Sequence, residues 1–209
     1  MMRVTRIEEL SKSRCRVFID EEFAFVLYKG ELRLYHIVVG EEIAPEDYQA
    51  ITDQVLPKRA KIRAMNLLKS REYTQKQLYD KLKEGYYPEK VIEEALEYVE
   101  SCHYTDDLRY AVSLIAGHEN TRSRRRIEQD LLGRGIDKLT LEKAWREWEE
   151  QGGTQDESAM IRELLKKRGY DPENADNKEK QRMGAFLMRR GFSGENVRRA
   201  IFSNSIDDC

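Results

Sequence analysis

Three segments of this chain superpose without a gap: QLYDKLKEGYYPEKVIEEAL, RIEQDLLGRGIDKLTLEKAW and RMGAFLMRRGFSGENVRRAI. Offsets of 49 and 105 residues carry Leu78, Leu82, Ile92, Ala95 and Leu96 onto Ile127, Leu131, Leu141, Ala144 and Trp145, then onto Met183, Leu187, Val197, Ala200 and Ile201. Every one is apolar. Self-similarity at this period marks a supersecondary unit used more than once. Apolar positions four apart before the glycine, and three or four apart after it, share one face of a 3.6-residue helix. The glycine falls at Gly85, Gly135 and Gly191, slipping by one residue in the first unit, and is followed by Tyr86, Ile136 and Phe192. Lacking a Cβ, it suits a left-handed helix end. Each unit therefore reads as helix, glycine turn, helix.

A further helix precedes each pair, with faces Ala64–Leu67–Leu68, Ala111–Leu114–Ile115 and Ile161–Leu164–Leu165. The expected fold is mainly α: a tandem array of three three-helix repeats at 57–104, 105–151 and 154–204, with a tail at 205–209. One such unit buries little surface alone, so stacking is expected to complete each core. Gly152–Gly153 is the expected flexible joint between repeats 2 and 3.

Residues 1–56 differ. In RCRVFID, Cys15, Val17 and Ile19 share one side of a strand; beyond the acidic turn Asp20-Glu21-Glu22, Phe23, Phe25 and Leu27 alternate likewise. That predicts a β-hairpin. Pro45 then opens a helix to about Val55, and Pro57 marks the boundary with the repeats.

Composition excludes several classes. With 36% charged and 40% apolar residues and only 4 Pro, the chain suits a soluble, mostly helical protein. No stretch resembles a signal peptide or membrane span, so no membrane partner is expected. Cys15, Cys102 and Cys209 are odd in number and far apart, which fits a reducing cytoplasm. A net charge of −2 hides polarity: residues 58–83 hold nine Lys/Arg against two acids, and 84–107 hold eight acids against one Lys.

The segment SCHYTDDLRYA invites a catalytic or metal reading. A cap is the simpler reading: Thr105, Asp106 and Asp107 at a helix start accept from free amides and complement the dipole, worth about 1 kcal/mol. Successive helical residues point about 100° apart, so the two carboxylates diverge. Cys102 and His103 have no partner at ligand spacing, since His36 and His118 are isolated. Tyr104 is expected to pack into the joint between repeats 1 and 2. No phosphate loop, nucleophile elbow or HExxH motif occurs; no catalysis, cofactor or metal is expected.

The basic clusters carry more information. In TRSRRRIEQDLLGRGI, Arg122, Arg124, Arg125 and Arg126 crowd a helix start, where positive charge opposes the dipole. Glu128 and Asp130 can pair with Arg124 and Arg126 one turn earlier, leaving Arg125 beside Gln129 without an acid. Lys58, Arg59, Lys61 and Arg63 follow Pro57 in the same unfavourable way, each costing about a few tenths of a kcal/mol. Local rules broken twice without internal benefit point to an external anionic partner; solvated charge for solubility is the alternative. Lys166, Lys167, Arg168, Arg189 and Arg190 frame two glycine turns and read as partners of helix C-terminal carbonyls. Candidate partner-binding residues are Lys58, Arg59, Arg63, Arg71, Arg122, Arg124, Arg125 and Arg126.

Four stretches, RAKIRAMNLLKSREYTQKQLYDKLKEGY, HYTDDLRYA, RRIEQDLLGRGI and FLMRRGFSGENVRRAI, resemble the RecX family, bacterial regulators of the RecA recombinase. The similarity covers nearly all of residues 58–204 in order, and RCRVFIDEEFAFVLY resembles an extension found in some members. The resemblance implies a curved helical body lying in the groove of a RecA–DNA filament and bridging its protomers. It implies a non-enzymatic modulator that limits filament growth, ATP turnover and strand exchange. A monomer is expected, with DNA as a secondary partner at the basic strip. A helical nucleic-acid-binding module acting without RecA is the alternative.

Overall fold

The computed structural model describes residues 2–202. The tail at 205–209, with Cys209, lies outside them. The chain is mainly helical with a small N-terminal sheet, and it divides into two compact units between Asp106 and Asp107.

The first unit opens with an antiparallel sheet, β1 (Val4–Glu9), β2 (Arg14–Ile19) and β3 (Glu22–Tyr28), in the order β1-β2-β3. The expected hairpin is β2–β3. Asp20 and Glu21 at its turn both have positive φ, 49° and 68°, the tight-turn conformation whose twist matches the flanking strands. Cys15, Val17 and Ile19 are buried as the alternation predicts. Phe23 departs from it at 44% exposure. A bulge opposite Val17 and Phe18 makes Phe18 face Phe23 and Val17 face Phe25, leaving Ala24 as the extra residue. β1 was not expected, because Val4 and Ile7 break strict alternation.

After α1 (Lys29–Leu34), the chain forms α2 (Pro45–Ala50), a π turn (Ile51–Val55) and α3 (Leu56–Leu68) as one uninterrupted rod. This corrects the helix end expected near Val55 and the boundary at Pro57. Proline lacks the N–H that a regular helix requires. In the π turn the ladder slips by one, the Leu56 N–H donating to the Ile51 carbonyl, and Thr52 Oγ1 donates to the Tyr48 carbonyl at 3.1 Å. Local widening of this kind lets a helix continue through a proline.

Repeat 1 is α3, α4 (Gln75–Lys83) and α5 (Glu89–Ser101). Its core is continuous with the sheet: Val17, Phe25, Leu27, Ile51, Ala60, Leu82 and Val99 belong to one buried cluster. The second unit holds repeat 2, with α6 (Asp107–His118), α7 (Arg124–Gly133) and α8 (Lys138–Glu150), and repeat 3, with α9 (Glu157–Lys167), α10 (Asn177–Arg189) and α11 (Gly194–Phe202). Each has its own apolar cluster. Leu82, Leu131 and Leu187 are fully buried at the same repeat position, each contributing about 1.5–3 kcal/mol. Leu96 and Ala200, also on the repeated face, are only partly buried.

The helix-ending turn obeys the offsets more closely than its glycine does. The left-handed residues are Tyr86, Gly135 and Gly191, with φ of 65°, 88° and 89°. Each donates its N–H three residues back, to Lys83, Leu132 and Met188, at 2.9, 3.0 and 2.9 Å. In repeat 1 a tyrosine therefore holds the position expected of Gly85, and Tyr87 is the counterpart of buried Ile136 and Phe192.

The junction of repeats 2 and 3 is polar, which corrects the expectation that stacking completes the apolar cores. Ser123 Oγ donates to the Arg190 carbonyl at 2.9 Å, and Gln155 Nε2 donates to the Glu119 and Arg122 carbonyls, each at 2.8 Å. Gly152–Gly153 is likewise a held turn. Gly153 lies against the Trp148 indole so closely that a Cβ would come within 2.2 Å of it.

Candidate functional site

The cations of the first unit separate into different roles. Because α2, the π turn and α3 are one rod, Lys58, Arg59, Lys61 and Arg63 sit mid-helix, where the end charge of the dipole has died away. Their placement breaks no electrostatic rule, correcting the sequence reading. Arg59 turns inward: it pairs with Glu31, donates to the Val26 carbonyl at 3.0 Å and lies 4.8 Å from the Tyr28 ring centre. It ties the rod to the sheet. Arg71 covers Tyr73 at 4.3 Å. Lys58 and Arg63 are exposed and make no ion pair among the described residues.

In the second unit Ser123 is the N-cap of α7, its hydroxyl accepting from the Arg126 N–H. Thr74 caps α4 at the same repeat position. The arginines that follow are better compensated than their sequence suggests. Arg122 pairs with Asp130, and Arg126 reaches the same carboxylate at 3.4 Å. Arg124 contacts Glu128 at 3.2 Å and Glu149 at 3.3 Å, and covers the Trp145 ring at 4.3 Å. Glu157, from α9, accepts the Arg124 backbone N–H at 2.9 Å and places at the α7 start the negative charge its own first turn lacks. The pairing one turn along is as expected; the absence of internal benefit is not. Arg125 alone of the four is exposed with no partner among the described residues.

Two further cations join them. The last turn of α10 carries Arg189 and Arg190 to the α7 start, where Ser123 holds the Arg190 carbonyl. The result is a cleft of about 350 Å³ with Arg122, Arg126, Arg189 and Arg190 on its walls and no acidic residue lining it. Asp130 is shared between Arg122 and Arg126; Arg189 has no ion pair among the described residues, and Arg190 rests on the Phe186 ring at 4.9 Å. Positive charge concentrated in a concave site focuses the field on anions. Arg124 and Arg125 line a larger groove of about 1040 Å³ instead, beside Glu128, Glu149, Asp156 and Glu157. The smaller cleft is thus the cationic one. In the sequence Arg189 and Arg190 read as partners of helix-end carbonyls, and the 67 residues separating Ser123 from Arg190 hide their meeting.

The SCHYTDDLRYA stretch forms no site. His103 takes a left-handed conformation, φ 56°, and the Tyr104 N–H closes the end of α5 on the Val99 carbonyl at 2.9 Å. Tyr104, expected to pack into a joint, is 52% exposed beside Met65, Leu68 and Lys69. Thr105 is buried, but its hydroxyl has no hydrogen-bond partner and caps nothing; α6 begins at Asp107, with Asp106 immediately before it. Among the described residues no cluster of His, Cys, Asp or Glu could hold a metal ion, and no helix is long and apolar enough to cross a membrane.

Residues 60–98 match the family model for the first three-helix domain of RecX, and residues 155–201 match that for the third. A regulatory protein RecX of Caldanaerobacter subterraneus subsp. tengcongensis is 33% identical over 202 residues, covering 96% of this chain and 98% of that protein. One from Clostridioides difficile is 26% identical, covering 95% and 93%. A crystal structure of regulatory protein RecX aligns over 97% of this chain and 100% of its own, with TM-score 0.62 and 24% identity. That of RecX from Lactobacillus salivarius aligns over 71% and 96%, with TM-score 0.55 and 20% identity, and these two likenesses concern the fold.

Proposed function

The chain belongs to the RecX family of regulatory proteins, and from that premise we propose that it is a non-enzymatic modulator, mainly an inhibitor, of the RecA recombinase. It acts in the cytoplasm as a monomer, binding in the groove of the RecA–DNA filament and limiting filament growth, ATP turnover and strand exchange during recombination and repair. The observation that carries this reading is the arginine cleft at the junction of repeats 2 and 3, cationic in a chain whose net charge is −2. A filament of protein on DNA offers phosphates and acidic side chains together. Four guanidinium groups with one shared carboxylate suit both, since their planar forks bind either oxyanion bidentately. Arg125, exposed beside Gln129, adds a fifth cation on the next face of α7.

Binding to preformed RecA–single-strand filaments tests the proposal, against naked DNA at about 0.15 M salt. The filament should bind much more tightly, and the purified protein should slow RecA ATP hydrolysis. Equal affinity for bare DNA, falling steeply with salt, would replace this reading with a nucleic-acid-binding module that acts without RecA.

A further inference from the structure

Phe186 holds two arginines at once. Arg168, at the end of α9, lies 3.9 Å from its ring centre, and Arg190, at the end of α10, lies 4.9 Å from it. Those two distances keep the guanidinium groups no more than about 9 Å apart, close to the Debye length at physiological salt. Both arginines are exposed, and neither makes an ion pair among the described residues. The ring itself is partly buried, packed against the repeat 3 core that contains Met183 and Leu187.

At the α7 start, Arg122, Arg124 and Arg126 each have a carboxylate to offset them. Arg168 and Arg190 have an aromatic face instead. A ring attracts a guanidinium through its quadrupole, but it neither neutralises the charge nor consumes the forked N–H donors as a carboxylate does. Phe186 therefore orders two flexible side chains in advance and leaves both able to take an oxyanion from outside. Arg190 also lines the arginine cleft, together with Arg189. Through Phe186, the cleft is continuous with Arg168, which stands outside its walls.

We propose that the cationic surface runs from the cleft past Phe186 to Arg168 as a track for the phosphates of a nucleic-acid strand, with Phe186 as the positioning residue for Arg168 and Arg190. The inference rests on the cleft being an anion site, as the recombinase reading holds, and adds the class of ligand and a further phosphate contact. Cations in series call for anions in series. A polynucleotide supplies one charge per nucleotide along a single backbone. An acidic protein segment presents its carboxylates on separate side chains, each of which must be ordered on binding.

The test uses the full chain without RecA, titrated with an oligothymidylate at about 0.05 M salt, where phosphate contacts are strong. Phenylalanine bearing one, two or three ring fluorines replaces Phe186; fluorine drains the negative ring face and keeps the ring's shape. Affinity should fall stepwise, by roughly threefold for the trifluorinated ring, whereas a ring that only fills space would bind alike throughout. Phe186→Leu should weaken binding at least as much, and Phe186→Tyr should preserve it. Arg168→Gln should reduce the log–log salt slope by about 0.7, the share of one single-strand phosphate. Oligoglutamate of equal charge should bind roughly tenfold more weakly than the oligothymidylate.

The proposal is overturned if the fluorinated variants bind like the parent, if Arg168→Gln leaves the slope unchanged, if oligoglutamate binds as tightly, or if the oligothymidylate does not bind. Filament binding measured in parallel judges the recombinase reading separately. Weakened filament binding by Arg189→Gln with Arg190→Gln, beside normal binding by the Arg168 and Phe186 variants, overturns this inference and leaves the cleft reading standing.

Discussion

Tyr86 stands 49 residues before Gly135 with the same left-handed backbone, φ 65° against 88°. A side chain in that conformation costs about 1–2 kcal/mol. What offsets it lies in the sheet: Arg16 covers the Tyr86 ring at 4.4 Å and donates to its hydroxyl, and Phe23 meets it edge-on at 6.2 Å. The bulge that exposed Phe23 thus serves the contact between the sheet and repeat 1. Tyr86→Ala should lose the ring and keep the strain, whereas Tyr86→Gly loses the ring and relieves it. Urea denaturation should find the glycine variant more stable than the alanine variant by about 1 kcal/mol.

Gly191 and Gly152 share φ 89°, but their surroundings differ. A Cβ at Gly191 would come within 2.7 Å of Ser123 Oγ, while at Gly152 it would meet open space. Gly152→Ala should cost about 1 kcal/mol from backbone strain alone. Gly191→Ala should lower Tm further, because it also pushes apart the Ser123–Arg190 bond joining repeats 2 and 3. Equal losses would show that this junction contributes little.

Arg59→Ala should destabilise the protein by about 2 kcal/mol, because it strands a partly buried Glu31 and the Val26 carbonyl. Lys58→Ala, one residue earlier and exposed, should stay within about 0.5 kcal/mol. Chemical denaturation of the two variants distinguishes a structural arginine from a solvated lysine within one cluster.

Arg125→Glu should weaken filament binding and leave Tm near that of the unmodified protein, since no described residue pairs with that exposed guanidinium. Arg189→Gln with Arg190→Gln should reduce the salt dependence of nucleic-acid binding by roughly two in the log–log slope if both meet phosphates. Titrations at several salt concentrations read out both effects.

Asp137 caps α8, accepting from the Thr140 hydroxyl at 2.6 Å and the Thr140 N–H at 3.0 Å, and these bonds hold its carboxyl below the ordinary carboxylate pKa. A lowered folded-state pKa means the stabilisation is complete above the unfolded value and is lost as pH falls through the folded one. Asp137→Ala should therefore melt lower than the unmodified protein at pH 7, with the gap closing as the pH drops below about 4. Thermal melts across that range check the sign.

Most of the architecture is legible in one dimension. Leu82, Leu131 and Leu187 recur at fixed offsets because helix periodicity and the turn between helices are local properties of the chain, and their burial follows from the same spacing. Asp20–Glu21 and the alternation in β2 are local in the same sense. Pro57 misled because a lone proline signals a break, while the accommodating π turn depends on how the rod packs against the sheet.

The cations obey another logic. Their residue types are visible in the sequence, but an arginine's role depends on which acid or carbonyl lies within about 4 Å, and chain folding alone decides that. Arg59 went to Glu31, 28 residues away; Arg124 acquired Glu149 and the support of Glu157; and Arg189 and Arg190 came to stand with Arg122 and Arg126. Sequence by itself determined the repeated brick and its buried faces, since hydrophobic spacing acts along a single helix. Tertiary structure decided which charges were consumed inside the protein and which were left facing outward, since electrostatic pairing acts across space.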